Sequence, residues 1–188
     1  REQKVAISGS STVMPLAEIS AEEFNMLQDD YHVTVTAGGS GEGIVNVVEG
    51  RSAIAMTSRE LHLVERQRYE TPTEKFNVIT VGYDAICLMV SPEVYDFGVT
   101  DLSAEEVRRI YSGSISNWKE LGGPDEEIFA IGRRPGSGTR DSFDEIIMGS
   151  REYETPGVSY EAAESSEVKT AIRGSDNAIG YVGYSYIM

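Results

Sequence analysis

The sequence is poor in cysteine, in basic residues and in long apolar runs, and each shortage excludes a class of protein. The single cysteine, Cys87, excludes an intrachain disulfide and a cysteine-rich metal site. No apolar run approaches the roughly 20 residues that a membrane-spanning helix needs. Lys and Arg number 16 against 31 Asp and Glu, which gives a formal net charge of −15. This excess argues against binding to nucleic acid or to anionic lipid, because Lys and Arg provide most of the affinity for both.

Catalytic and nucleotide-binding motifs are missing as well. Neither His32 nor His62 stands beside a candidate nucleophile, and the segment Gly38–Glu42 has glutamate where a Gly-x-Ser-x-Gly elbow needs its last glycine. The chain contains no Gly-x-x-x-x-Gly-Lys-Ser/Thr phosphate loop, and its acidic pairs lack the spacing of a calcium loop. We therefore predict that the protein is not an enzyme and that it holds neither a cofactor nor a metal.

Short apolar segments alternate with glycine-rich turns and amphipathic helices along the chain. Strands are predicted at 5–7, 33–36 and 53–56, each followed by small polar residues and then by a polar or helical segment. Residues 76–90 hold two extended apolar stretches, and later strands are predicted at 129–132 and 179–184. This alternation predicts an α/β fold with a largely parallel sheet.

Four of the loops that follow strands share one composition, with small residues and hydroxyls placed before a polar or helical segment. In chain order they are residues 8–12, 37–43, 57–60 and 133–139. The first turn of a helix has unpaired backbone N–H groups and a partial positive charge, and Ser and Thr add further donors. One such loop is an ordinary helix cap. Four of them at one edge of a sheet predict a cradle for an anion.

The fourth loop also carries a fixed positive charge. Arg133 stands four residues before Ser137 and flanks the predicted helix start at 136–139. A guanidinium group can bind a tetrahedral oxyanion with two parallel hydrogen bonds. We predict that Arg133 binds the anion and that Arg134 is a solvated surface residue, whereas the sequence leaves the partners of Arg140 undecided.

Five segments of the chain follow the order found in one known family. They are GSST at 9–12, GGSG at 38–41, MTSREL at 56–61, ISNWKELGG at 115–123 and GSGTRDSF at 136–143. With these segments, the chain resembles the phosphate-binding protein of phosphate ABC transporters from about Val5 to Tyr184. The resemblance implies a two-lobed periplasmic binding protein-like fold of type II, in which each lobe is a mixed sheet flanked by helices. It also implies a first lobe of residues 1–81 with 183–188 and a second lobe of residues 82–182.

The resemblance further implies which residues bind phosphate. These are Ser11, Thr12, Ser40, Ser58, Arg133, Ser137, Gly138 and Thr139. The expected partners are inorganic phosphate and the permease subunits of an ABC transporter, with no nucleic acid, and with membrane contact only through an N-terminal anchor that these residues do not include. The expected location is extracytoplasmic, either periplasmic or anchored at the cell surface.

Two departures from the family pattern leave alternatives open. Relatives have an aspartate in the third loop, where it accepts the proton of hydrogen phosphate, and this chain has Ser58 instead; Asp141 is our candidate for the proton acceptor. Relatives also continue well beyond the equivalent of 180–184, so a first lobe that is incomplete at its C-terminus is expected. Binding of sulfate or molybdate, and a sensor role without transport, remain alternatives to phosphate transport.

Overall fold

The computed structural model describes residues 2–187, and they divide into two compact units whose boundary lies between Ala85 and Ile86. The sequence-based lobes, 1–81 with 183–188 and then 82–182, differ from this division at both places. In the structure the last described residues pack with the second unit, because Gly183 pairs with Ile86 and the Lys169 ammonium donates a 2.6 Å hydrogen bond to the carbonyl of Tyr186.

The first unit contains a three-stranded sheet with the strand order β2-β1-β3. Its elements are β1 (Gln3–Gly9), α1 (Met14–Leu27), β2 (Tyr31–Ala37), α2 (Ser40–Val48), β3 (Ile54–Met56) and α3 (Leu63–Tyr69). The strands predicted at 5–7, 33–36 and 53–56 are therefore confirmed. All three are parallel, because α1 and α2 each carry the chain back to the start of the next strand. The sheet of this unit is thus parallel over its described strands, and the expected mixed pairing occurs in the second unit.

Helix α2 lies unusually close to the end of β1. A methyl group added at Gly43 would lie 2.6 Å from the carbonyl oxygen of Ser8 and 2.8 Å from the Cα of Gly9. Both atoms belong to the backbone and cannot rotate away. Only glycine permits this approach, and it sets the N-terminus of α2 against the carboxyl end of β1.

Large apolar side chains of the first unit are widely exposed. Leu16, Ile19 and Leu27, whose helical spacing predicts α1, are all more than half exposed. Of the two extended stretches predicted in 76–90, only the second forms a strand, and residues 70–85 form neither helix nor strand. A backbone segment becomes a strand only where a neighbouring strand accepts its hydrogen bonds, and none of the described strands pairs with these residues.

The second unit contains a four-stranded mixed sheet with the order β4-β7-β5-β6. Its regular elements are β4 (Ile86–Val90), α4 (Pro92–Phe97), α5 (Ala104–Tyr111), β5 (Phe129–Arg133), α6 (Gly138–Phe143), β6 (Val158–Ala162), α7 (Ser165–Arg173) and β7 (Ala178–Gly183). Strand β4 runs antiparallel to β7, whereas β5 runs parallel to both β6 and β7. Two sheets flanked by helices confirm the predicted α/β class.

Local sequence signals account for the helix boundaries of this unit. Ser103 and Glu106 form the predicted capping box at the start of α5, where Ser103 Oγ accepts from the backbone N–H of Glu106 and Ser103 N–H donates to its carboxylate. Helix α6 continues as a π-helical turn, Asp144–Met148, and ends at Gly149 with a φ of 83°. Glycine is favoured at such a position because it adopts positive φ at little cost.

The core of the second unit is aromatic at its centre. The ring of Phe143 stacks on that of Tyr181 with a centroid distance of 4.0 Å, and Tyr111 packs edge-on against Phe143 at 4.8 Å. Trp118 is fully buried in the same cluster, and its indole N–H donates a 2.8 Å hydrogen bond to the carbonyl of Asn177. This bond satisfies the one polar atom that burial of the indole would otherwise leave unpaired.

We expect Trp118→Ala to lower the free energy of unfolding by about 3–5 kcal/mol, because it leaves a large cavity and removes the bond with Asn177. Urea unfolding followed by far-UV circular dichroism measures the change, since the substitution removes the only tryptophan. Ile146→Ala is the control, because that side chain is 73% exposed and should matter by less than about 0.5 kcal/mol. Equal losses in the two variants would contradict the assignment of Trp118 to the core.

Candidate anion-binding site

Three predicted site loops leave the first sheet at one edge. Gly9, the last residue of β1, is the register partner of Ala37 at the end of β2 and of Met56 at the end of β3. The loops are also tied to one another, because Ser10 N–H donates to the carbonyl of Met56 at 2.9 Å, and Gly38 N–H donates to the carbonyl of Gly9 at the same distance. The parallel topology therefore brings together the three loops that the sequence marks.

The second and third of these loops meet through two serines. Ser40 begins α2 and is completely buried. Its hydroxyl oxygen accepts a 3.2 Å hydrogen bond from the backbone N–H of Ser58, and the two hydroxyl oxygens lie 3.4 Å apart. Gly39, with a φ of 106°, makes the turn that admits Ser40 to this position. Ser40 and Ser58 thus form one hydroxyl pair at the start of a helix.

The first loop contributes the remaining two predicted residues of this unit. Ser11 is buried with 3% of its surface exposed, and Thr12 is half-buried. The backbone N–H of Thr12 donates to Ser10 Oγ at 3.2 Å, and α1 begins two residues later at Met14. All four predicted residues of the first unit therefore follow the strand ends at Gly9, Ala37 and Met56, which lie together at one edge of the sheet.

In the second unit, Arg133 is the last residue of β5 and is 98% buried. Its guanidinium donates to the carbonyls of Ala162 at 3.3 Å and Ala163 at 3.0 Å, and to Ser165 Oγ at 3.0 Å. These three acceptors are neutral. Burial lowers the pKa of Arg133 from its usual value, but an arginine remains protonated in proteins, so a positive charge is held inside the unit.

Buried donors surround the start of α6, immediately after Arg133 in the chain. Ser137, Gly138 and Thr139 are all buried, and Ser137 Oγ accepts a 3.2 Å hydrogen bond from the backbone N–H of Arg140. Asp141 is half-buried in the first turn of the helix, and its N–H donates to the carbonyl of Ser137. Arg134 is exposed, as expected.

The structure also gives Arg140, whose partners the sequence left undecided, three partners at this loop. Arg140 Nη1 donates to the carbonyl of Arg133 at 2.6 Å and to a carboxylate oxygen of Glu161 at 2.7 Å. Its Nε lies 3.4 Å from a carboxylate oxygen of Asp144. The spacing of four residues between Arg140 and Asp144 was a visible signal for a pair on one helix face, whereas the contact with Glu161 in β6 depends on sheet pairing.

Asp144 is an unusual carboxylate because it is buried. Burial raises its pKa to about 6, the neighbouring charge of Asp141 acts in the same direction, and Arg140 opposes the shift. Burial also raises the pKa of Tyr181, with the charge of Asp144 as the second cause. A buried acid with a pKa near neutrality makes this side of the loop sensitive to pH.

Other kinds of site are not apparent in the part of the chain that the structure describes. Within residues 2–187, no group of three or more His, Cys, Asp or Glu side chains could hold a metal ion. No helix in this range has both the length and the apolar character needed to cross a bilayer. An open cavity of about 610 Å³ in the second unit is lined by other residues, which include Phe129, Tyr160 and Asn177, and by none of the predicted site residues.

A family model described as a PBP superfamily domain matches residues 1–188. Among curated proteins, the phosphate-binding protein PstS of Bacillus subtilis is 35% identical over 184 residues, which are 97% of this chain and 58% of that protein. PstS of Borreliella burgdorferi is 29% identical, and the match covers 98% of this chain and 65% of the relative. The chain therefore spans about three fifths of the length of the curated relatives it matches.

Solved structures of phosphate-binding proteins also match the chain. The crystal structure of a protein described as a phosphate ABC transporter substrate-binding protein from Clostridium perfringens, with bound phosphate, matches with a TM-score of 0.87 and 37% identity. The match covers 99% of this chain and 72% of the other. An ABC-type phosphate transport receptor from Vibrio cholerae matches with a TM-score of 0.69 and 32% identity, covering 96% of this chain and 71% of the other.

We expect the stability difference between Asp144→Asn and the wild type to change with pH. The folded protein holds the Asp144 proton up to a pKa of about 6, whereas the unfolded chain releases it near the ordinary value of 3.8. The proton therefore stabilises the fold fully below the unfolded pKa, and this contribution is lost as pH rises through 6.

The free energy of unfolding of Asp144→Asn, minus that of the wild type, should consequently increase between pH 4 and pH 7 by up to about 3 kcal/mol. Urea unfolding at several pH values measures this difference, and contributions from other titrating groups cancel in it. Glu154→Gln, at an exposed position, should show no such change. A constant difference for Asp144→Asn would contradict the raised pKa.

Proposed function

This chain belongs to the PBP superfamily and, within it, to the family of phosphate-binding proteins, and on that premise we propose that it binds inorganic phosphate outside the cytoplasm and delivers it to an ABC transporter. The proposal gives the protein a binding role and not a catalytic one, in agreement with relatives that are substrate-binding proteins. The permease subunits of the transporter are the proposed protein partners.

One observation carries the proposal: a buried arginine ends β5 four residues before the buried hydroxyls at the start of α6. Arg133 is held by neutral acceptors, and Ser137 and Thr139 follow it at the N-terminus of α6. A buried positive charge is costly unless an anion or a set of hydrogen bonds compensates for it. We propose that phosphate oxygens accept hydrogen bonds from Arg133 and from Ser137, Gly138 and Thr139.

The first unit supports the proposal with neutral donors. Ser11 and Thr12 precede α1, and the hydroxyl pair of Ser40 and Ser58 lies at the N-terminus of α2. Helix N-termini and hydroxyls bind phosphate without any added charge. We propose that these four residues are the phosphate ligands of the first unit.

Phosphate is favoured over sulfate or molybdate because the relatives carry that ligand in their names, and one of them was solved with phosphate bound. Hydrogen phosphate differs from sulfate by its proton, so a protein that separates the two anions needs an acceptor for that proton. The hydroxyl of Ser58 can accept a hydrogen bond from hydrogen phosphate, but it is uncharged and does not repel sulfate. We propose Asp141, in the first turn of α6, as the carboxylate that accepts it.

We expect the protein, expressed with whatever sequence flanks these residues in its gene, to bind phosphate with micromolar or tighter affinity. The net charge of −15 does not prevent this, because exposed carboxylates are screened beyond about 8 Å at physiological salt. Arg133→Ala should weaken binding by about 1.5–3 kcal/mol, or roughly 10- to 150-fold, by removing a charged hydrogen bond to the anion.

Calorimetric titration of phosphate-free protein measures both quantities, with circular dichroism to show that each variant is folded. Arg134→Ala is the matched control, since it removes the same charge from an exposed neighbouring position and should change the affinity by less than about twofold. Absence of heat at millimolar phosphate for folded wild-type protein would overturn the proposed function. Equal losses in both variants would remove Arg133 from the site.

We expect Asp141→Asn to reduce the preference of the protein for phosphate over sulfate. An amide can donate to sulfate, whereas a carboxylate that must accept a proton repels it. Competition titrations of both anions on wild type and variant measure the ratio, and Glu154→Gln controls for the loss of one negative charge. A ratio that stays unchanged in Asp141→Asn would mean that Asp141 only stabilises the start of its helix.

A further inference from the structure

We propose that Arg140 is a positioning residue for the phosphate site, acting as a clamp that holds the Arg133–Thr139 loop in its binding conformation. The proposal rests on the proposed function, because it concerns the same loop. It assigns to Arg140 no contact with phosphate and to Glu161 and Asp144 the role of anchors for the clamp.

The guanidinium of Arg140 joins three elements of the second unit. It donates to the backbone carbonyl of Arg133 at the end of β5, and to Glu161 in β6. It also pairs with Asp144 in the π-helical turn that continues its own helix. One planar group with several fixed donors can make these contacts together, which a single ammonium group cannot do with the same geometry.

The backbone of Arg140 holds the same loop from the other side. Its N–H donates to Ser137 Oγ at 3.2 Å, while its side chain binds the carbonyl of Arg133 at 2.6 Å. Residue 140 therefore fixes both ends of the four-residue interval from Arg133 to Ser137. The phosphate ligands proposed for the second unit, which are Arg133, Ser137, Gly138 and Thr139, lie within or directly beside that interval.

Electrostatics keep the clamp charged. Burial acts against the charged form of Arg140, but the hydrogen bond and charge of Glu161 and the charge of Asp144 raise its pKa above the usual value. Charged hydrogen bonds of this kind are about twice as strong as neutral ones. The clamp is also partly protected from solvent, because the Arg140 side chain is 21% exposed and that of Asp144 is 4% exposed.

The effect of Glu161→Gln on phosphate affinity differs in sign between two explanations, a positioning role for Arg140 and a simple effect of net charge. If only net charge mattered, Glu161→Gln would remove a negative charge near an anion site and would strengthen phosphate binding. If Glu161 anchors Arg140, the same substitution loosens the loop and weakens binding. The sign of the effect therefore separates the two explanations.

The experiment is a set of calorimetric phosphate titrations on the full chain, at one pH and one salt concentration. The variants are Arg140→Lys, Arg140→Gln and Glu161→Gln, and the matched controls are Arg134→Lys, Arg134→Gln and Glu154→Gln. We expect each Arg140 variant to weaken binding by about 10- to 100-fold, because small displacements of binding groups have effects of this size. Glu161→Gln should also weaken binding, and each control should change it by less than about twofold.

A double-mutant cycle tests whether Arg140 acts through Arg133. In an Arg133→Ala background, Arg140→Gln should have less than about a twofold further effect on affinity, because the group that it positions is gone. Circular dichroism and urea unfolding identify any variant that fails to fold, and in that case Glu161→Gln, at a side chain that is 45% exposed, decides the question by itself.

Three outcomes would overturn the proposal: wild-type affinity in Arg140→Lys, tighter binding in Glu161→Gln, or equal effects of Arg140→Gln with and without Arg133. A different result would overturn the proposed function itself. In that case the wild type itself gives no phosphate heat, and sulfate and molybdate titrations then show whether another oxyanion binds.

Discussion

The burial of one guanidinium is the constraint on which the second unit depends. Arg133 ends β5 with almost no solvent exposure, so every hydrogen bond of its side chain must come from the protein or from a ligand. The carbonyls of Ala162 and Ala163 and the hydroxyl of Ser165 lie where β6 turns into α7. The β5–β6 pairing and the position of α7 therefore fix where the charge can be. A change in that turn would act on the site even though it lies outside the binding loop.

The two units offer an anion different chemistry. In the first unit the predicted ligands are neutral hydroxyls and backbone amides at helix starts, and in the second they include a permanent charge. In a protein with 31 acidic residues, short-range donors have an advantage, because their effect is confined to contact distance and does not depend on the overall charge. Changes in salt concentration should therefore affect anion binding by the second unit's residues more than binding by those of the first.

Sequence reasoning predicted the α/β class and the positions of most strands along the chain. It also placed the four loops correctly at strand ends, because each loop has small residues, hydroxyls and a helix signal together. It did not predict β6, although Val158, Tyr160 and Ala162 alternate with polar residues as in a half-buried strand. The pairing of this segment with β5, which gives Glu161 its role, is not visible in the sequence. The spacing of Arg140 and Asp144 was a visible signal for a pair, but the contact of Arg140 with Glu161 was not, because Glu161 is 21 positions away in the chain. The first extended stretch predicted within 76–90, which precedes Gly82, does not form a strand, because strand formation depends on a neighbouring strand and not on local composition alone.

The distribution of buried apolar residues has a consequence for dynamics. Among the described residues, those of the first unit that are buried and apolar are Ala21, Ile44 and Met56, whereas the second unit has two clusters built around Trp118 and Val168. Local opening is easiest where few apolar contacts must be broken. Backbone amides of β1, β2 and β3 should therefore exchange with deuterated solvent through low-energy openings, while those of β5 and β7 exchange only when the whole second unit unfolds. The hydroxyl pair of Ser40 and Ser58 then belongs to the more mobile unit, and the arginine to the more rigid one.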